Sequence, residues 1–336
     1  NIGFEFNSYD ESIYAKKIAN ILGAKHNEHI FSKKDVFDTV PKLNLAYTEP
    51  FADSSSLPTI LVSSIARKKI KVALSGDGGD ELFCGYNRYV YAYKYWKYFK
   101  HLPKTPIKNI AYILNKILNS VNNSYHYSIF RKLIKICEKI QSITNEYSYY
   151  NSITSEWSEK SNISNNFIDN FSVNEIFQHN NDLTFVEKMM LTDFLTYLPD
   201  DILCKVDRAS MFSSLEVRAP FLNKQLIEYS YNLPINYKIN SKGSKYILRK
   251  ILSSYIPKKY FERPKQGFGI PLSEWIKDDI KEIVSDNLSE NNCLKHGLFN
   301  YNIVQKTLNN HLNNKENNQH KIWSLFQFNQ WYQNNY

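Results

Sequence analysis

Cysteine is scarce in this chain: Cys84, Cys137, Cys204 and Cys293 are the only four in 336 residues. They lie far apart with no paired spacing, which argues against a zinc module and against a dense disulfide scaffold. Reduced thiols in a cytoplasmic protein are the expectation. Also missing are a run of the roughly 20 apolar residues needed to span a bilayer and a charged-then-apolar leader at the front. A membrane role is therefore not expected. His26 and His29 are three apart near a strand pattern, but no carboxylate and cysteine pattern beside them makes a metal site. No basic arm exists either. The formal charge of +9 is spread along the chain, so a nucleic-acid partner is not expected. The densest basic run, Arg67 to Lys71, reads as a solvated helix end. What remains is ordinary globular material: 43% hydrophobic and 22% charged residues, enough for one large domain or two ordinary ones.

The organisation begins with short strands and helices in alternation. Ile2 to Phe6 alternates apolar with small or polar residues, as a short strand would. Tyr14, Ala15, Ile18, Ile21 and Leu22 then recur on one helical face, ahead of Gly23 at the place of a left-handed cap. Glu28 to Phe31 reads as a second strand. Helical patterns follow over about 34–47, breaking before Pro50, and again from about Ser56, where Pro58 falls in the first turn. Ile70, Val72 and Leu74 form the clearest strand and lead directly into Ser75-Gly76-Asp77-Gly78-Gly79-Asp80-Glu81. Such alternation implies an α/β fold, a parallel sheet covered by helices, with ligands bound beyond the carboxyl ends of the strands.

Residues 90–183 show no strand rhythm and read as a helical insertion. From 184 to 336 the pattern is mostly helical and opens with a stripe of Phe185, Val186, Met189, Met190, Phe194 and Leu198, which is more often core than a cofactor box. The Asn-rich stretch Asn309 to Gln319 reads as a solvated linker before a last amphipathic segment carrying Trp323, Phe326 and Trp331. Three parts result: a nucleotide-binding α/β part over 1–89, the insertion over 90–183, and a helical part over 184–336.

Chemistry concentrates in the loop Ser75 to Glu81. Its glycines allow close approach of backbone to a ligand, and its three carboxylates suit a hydrated divalent cation with its phosphates. A tight surface turn built from Asp and Gly fits the same residues. Spacing alone leaves both open.

Five blocks in order decide between them. Ser75 to Tyr86 (SGDGGDELFCGY) is similar to the signature loop of the asparagine synthetase family. Upstream, Glu49-Pro50-Phe51-Ala52-Asp53-Ser54-Ser55-Ser56 matches the family's preceding segment. Downstream, Tyr197 to Met211 (YLPDDILCKVDRASM), Leu215 to Leu222 (LEVRAPFL) and Arg263 to Pro271 (RPKQGFGIP) complete the set. The chain thus resembles the synthetase half of the glutamine-hydrolysing members. The resemblance implies the nucleotide-binding fold of the ATP pyrophosphatases and adenine nucleotide α-hydrolases, with a parallel sheet and helices on both faces. It also implies ATP-dependent amidation of aspartate to asparagine through a β-aspartyl-AMP intermediate, with ATP and Mg2+ required and ammonia drawn from glutamine.

Residue by residue, the resemblance puts Ser75 and Gly76 on the nucleotide, Ile2 and Gly3 at the adenine pocket, and Asp80 near magnesium and pyrophosphate. Asp77 falls near the intermediate, while Lys265 stabilises charge as pyrophosphate leaves. Asp207, Arg208, Glu216 and Arg218, together with Glu81, are expected to support the site, the first four as buried charge pairs. A homodimer is compatible with the family.

Two departures stand out. The family's pyrophosphate loop, Ser-Gly-Gly-x-Asp-Ser, has no counterpart, because Gly78-Gly79 is the only adjacent glycine pair among ten. No N-terminal cysteine nucleophile of a glutaminase domain is present. With Asn1 leading straight into a strand, the expectation is a chain that begins inside a domain and is inactive by itself. Milder differences are Asn223, where Asp is common, and Cys84, where a small residue is common.

Overall fold

In the computed structural model the described residues are 1–4, 11–118, 124–157, 163–164, 171–262 and 269–336. The order begins β1 (Ile2–Phe4), α1 (Ser12–Ile21), β2 (His29–Phe31), α2 (Lys33–Ala46), α3 (Ser56–Arg67), β3 (Val72–Leu74) and α4 (Gly79–Leu82). Next come α5 (Asn87–Phe99), α6 (Lys104–Leu118), α7 (Ser124–Ser142), α8 (Glu146–Thr154), α9 (Phe171–His179) and α10 (Phe185–Leu195). A π-helical turn, Leu198–Leu203, runs into α11 (Cys204–Phe212), followed by β4 (Glu216–Arg218), a 3₁₀ turn over Pro220–Leu222, α12 (Lys224–Asn232) and α13 (Ile235–Lys238). The hairpin β5 (Ile239–Asn240) and β6 (Gly243–Ser244) leads to α14 (Tyr246–Leu252). Five more helices close the order: α15 (Leu272–Lys277), α16 (Lys281–Asn287), α17 (Glu290–His296), α18 (Tyr301–Leu312) and α19 (Gln319–Asn335).

Local chemistry accounts for several boundaries. Ser32 accepts from the Asp35 backbone N–H while Asp35 reaches back to Ser32, a capping box that starts α2. Thr184 and Glu187 do the same for α10. The second helix ends at Ala46 with Tyr47 extended, as expected ahead of Pro50.

The parallel pairing expected from the βα alternation is present: β1 with β2, and β3 with β4 in the register Val72 to Glu216, Ala73 to Val217 and Leu74 to Arg218. The described strands nevertheless form three two-stranded sheets rather than one continuous sheet, and helices dominate. Strands of two or three residues make few ladder bonds, so helix packing carries most of the burial.

Two apolar cores hold the chain together. One joins Ile2, Phe31, Val36 and Leu57 to Trp275, Ile276, Trp323 and Phe326 of the last helices. The other gathers Cys84, Tyr89 and Ala92 with Tyr149, Phe177, Phe185, Met189 and Met190. Met189 and Met190 are essentially sealed, so the methionine stripe is core.

One expectation is corrected at Asn309 to Gln319. Helix α18 extends to Leu312, and both His311 and Asn318 are buried, with Asn318 N donating to His311 Nδ1. Hydrogen bonding accounts for the buried His311 and Asn318, while Asn309, Asn313, Asn314, Lys315 and Asn317 are exposed as expected. No helix among the described residues is long and apolar enough to cross a membrane.

Candidate active site

Strand β3 delivers the glycine loop. Ser75 N donates to Arg218 O at 2.9 Å, carrying the β3–β4 pairing one residue past the strand. Gly78 turns the chain at φ +85°, and a Cβ there would sit 2.4 Å from Leu222 Cδ2; one at Gly79 would meet Phe221 at 3.3 Å. The loop thus lies flat on the Pro220–Leu222 turn, which joins two blocks distant in sequence. Helix α4 then aims the acids. Asp80 Oδ1 pairs with Lys245 Nζ at 2.8 Å, and Lys245 is fixed by its own N–H donating to Phe83 O at 3.1 Å. Gly85 leaves room for this pair: a Cβ would fall 1.7 Å from Asp80 Oδ1 and 2.3 Å from Lys245 Cε, and would displace those side chains.

Ser75 Oγ and Asp77 Oδ2 are buried and have no hydrogen-bond partner among the described residues. Native proteins rarely leave such atoms unpaired, so a ligand group is the natural partner at this strand mouth. Glu81 is 1% exposed and accepts from the Tyr86 hydroxyl; burial pushes its carboxyl above the usual range despite that bond.

Behind Tyr86 opens a second polar group. Arg88 donates through Nε to Asp193 at 2.9 Å and lies 4.1 Å from the Tyr86 ring centre and 4.9 Å from that of Tyr197. Asp193 is fully enclosed and also accepts from Tyr89 and Tyr150. Nearby, Lys205 Nζ pairs with Asp53 at 2.6 Å across 152 residues of sequence. Burial alone would raise Asp53, but the Lys205 ammonium and the Ser55 hydrogen bonds bring it below its ordinary value. Its neighbour Asp201, on the π-turn, is pushed up to about 7, first by burial and then by the Asp53 charge.

The structure brings Ser75, Gly76, Asp77, Asp80 and Glu81 together on one loop, with Gly76 exposed. Ile2 is buried in the first core beside Phe31. Lys265 lies outside the described residues. The expected buried charge pairs are corrected: Asp207 and Arg208 are exposed, and Glu216 pairs with Arg218 at 2.7 Å on an exposed face. On α11 the inward positions are Lys205 and Ala209, one turn apart, which turns 207 and 208 outward. Along β4, Glu216 and Arg218 share one face by strand alternation. The enclosed pairs are Lys205 with Asp53 and Arg88 with Asp193. Lys245, Arg88 and Asp193 carried no motif signal, while Asp53, Asp201 and Lys205 sat unassigned inside the quoted blocks. Among the described residues no group of three His, Cys, Asp or Glu could hold a metal. A hydrated Mg2+ needs only one or two carboxylates plus phosphate oxygens, and Asp77 and Asp80 are the carboxylates of this loop that could hold one.

A family model for asparagine synthase matches residues 1–333. The chain belongs to the asparagine synthase family. It is similar to "Asparagine synthetase [glutamine-hydrolyzing] 1" of Bacillus subtilis (strain 168), with 29% identity over 336 residues, covering 99% of this chain and 51% of that relative. "Putative asparagine synthetase [glutamine-hydrolyzing]" of Mycobacterium tuberculosis (strain ATCC 25618 / H37Rv) shares 29% over 280 residues, 82% of this chain and 41% of its own length. "Putative asparagine synthetase [glutamine-hydrolyzing] 2" of Methanocaldococcus jannaschii shares 32% over 225 residues, 66% of this chain and 41% of its own length. This member of the asparagine synthase family spans about half the length of the curated relatives it matches.

Proposed function

We propose that this chain carries the site at which ATP activates a carboxylic acid for amidation, with aspartate as the acid and asparagine as the product. A carboxylate resists ammonia because oxide is a poor leaving group. In the proposed reaction a β-carboxylate oxygen bonds to the α-phosphorus of ATP as the bond from that phosphorus to the bridging oxygen breaks, releasing pyrophosphate. Ammonia then attacks the acyl carbon of β-aspartyl-AMP, the carbon to phosphate-oxygen bond breaks, and AMP leaves as the nitrogen loses a proton. Ammonia would come from glutamine.

The observation that carries this reading is the convergence at one strand mouth of two buried oxygens without a partner among the described residues, Ser75 Oγ and Asp77 Oδ2, with the Asp80–Lys245 ion pair. Ser75 and Gly76 would meet the nucleotide phosphates, and Asp77 with Asp80 would hold Mg2+, whose charge offsets that of the phosphates when bound. Lys245 adds a fixed positive charge where pyrophosphate departs, with Lys265 as the second. The parallel pairs β1–β2 and β3–β4 are read as parts of one nucleotide-binding sheet.

The test is exchange of labelled pyrophosphate into ATP by the protein that contains this chain. Exchange that depends on aspartate supports the reading. Exchange that depends instead on a different carboxylic acid reassigns the substrate, and its absence with every acid refutes the activation chemistry.

A further inference from the structure

A cavity of about 740 Å³ is walled by α8, α10, the π-turn and the Phe51–Ser54 segment, and its Tyr197 packs against Tyr86, whose hydroxyl donates to Glu81 of the glycine loop. Its size falls in the range of small-ligand sites. Its charges are unusual. Asp53, Glu156, Asp193, Asp200 and Asp201 face it, and Arg88, paired with Asp193, is the single Arg or Lys among the described residues of its wall. A polyphosphate would meet too many carboxylates there.

Two groups on this wall have unused capacity. Arg88 reaches Asp193 through Nε alone, and its Nη2 is buried with no acceptor among the described residues. Stacking on Tyr86 and Tyr197 holds the guanidinium plane in place, the preorganisation that favours two-pronged binding of a carboxylate. Asp201 Oδ1 is likewise buried with no partner among the described residues, and the rings of Phe51, Tyr150, Trp157 and Tyr197 on the same cavity wall suit an ammonium group. One guanidinium nitrogen and one carboxylate oxygen with unused capacity in a single cavity match the two ends of a zwitterion.

We propose that this cavity holds the acceptor as an amino-acid zwitterion, with its α-carboxylate on Arg88 and its α-ammonium on Asp201. The proposal rests on the amidation reading and adds how the acceptor is chosen. The remaining acid group points past Tyr86 to the glycine loop, because Tyr86 contacts Arg88 on one side and Glu81 on the other. The insertion thereby gains a purpose, since Tyr147, Tyr150, Asn151 and Thr154 of α8 form part of the wall.

The test is calorimetric titration of the whole chain with aspartate, with succinate, which lacks the ammonium, and with β-alanine, which lacks the α-carboxylate. Aspartate is expected to bind about tenfold or more tightly than either, the cost of losing one charged contact. Asp201→Asn should weaken aspartate and β-alanine about tenfold and leave succinate unchanged, whereas Arg88→Lys should weaken aspartate and succinate and spare β-alanine. These opposite selectivities cannot come from a general loss of folding, which circular dichroism checks independently. Equal binding of the three probes, equal loss of all three in both variants, or no binding of any probe to the folded chain overturns the proposal. If pyrophosphate exchange responds to a different amino acid and shows the same dependence on Arg88 and Asp201, the zwitterion clamp stands while the choice of aspartate falls. If exchange responds to aspartate with KM unmoved in both variants, the clamp fails while the activation chemistry survives.

Discussion

Replacing Gly85 by alanine tests the geometry of the glycine loop most directly. The added Cβ would stand 1.7 Å from Asp80 Oδ1 and 2.3 Å from Lys245 Cε, where 3.0 Å is the closest approach real Cβ atoms make. Both atoms are the ends of side chains, so they can rotate away, and the contact given up is the ion pair between them. Overpacking of this kind costs about 1–3 kcal/mol, so Gly85→Ala should lower the midpoint of urea unfolding by that amount with the m-value unchanged. The Asp80–Lys245 pair opens as the methyl enters, so nucleotide-dependent pyrophosphate exchange should fall further than stability does. Gly76→Ala provides the contrast: no atom lies within 4 Å of its built Cβ, so stability should hold within about 0.5 kcal/mol while nucleotide affinity drops. Equal effects of the two substitutions on stability, or a Gly85→Ala protein with unaltered unfolding and exchange, would refute the account.

Two more outcomes follow from the charge pairs. Lys205→Met leaves Asp53 beside Asp201 with no counter-charge and should cost about 3–5 kcal/mol, whereas Arg218→Ala, which breaks the exposed Glu216–Arg218 pair, should cost at most about 1 kcal/mol in the same urea titration; a reversed ranking would show the burial assignments to be wrong. Asp201 binds its proton more tightly folded than unfolded, so stability should fall as pH rises from the ordinary 3.8 to about 7. Asp53, shifted the other way, loses its contribution only on acidification below 3.8. Glu81, raised in the same sense, adds a slope of the same sign, so Asp201→Asn should reduce the slope; an identical pH profile in the variant would show that Asp201 does not titrate there.

Much of the candidate site was legible in the sequence because it is local. An apolar strand running into Ser75 to Glu81 announces its loop through glycine positions and acid spacing, although Val72 and Leu74 are exposed among the described residues rather than buried, and the capping pairs at Ser32 and Thr184 mark helix starts within four residues. Helical periodicity likewise located the methionine stripe in the core. Charge partnership was not legible. Asp207, Arg208, Glu216 and Arg218 looked like buried supports, yet each faces outward, because which side of α11 or β4 meets the core depends on the elements packed against it. The same holds for Lys245, whose place beside Asp80 follows from a hairpin docking on Phe83.

The sequence by itself determined the order of strands and helices, the glycine loop with its acids, and membership of the asparagine synthase family across residues 1–333. Tertiary structure alone decided which lysine meets Asp80, that Lys205 answers Asp53 across 152 residues, and that Arg88 and Asp201 open onto one cavity. Turn and helix signals are written within a few residues of the bonds they make. The partner of a buried charge is chosen by the packing of distant elements, where desolvation makes an unanswered charge too costly to keep.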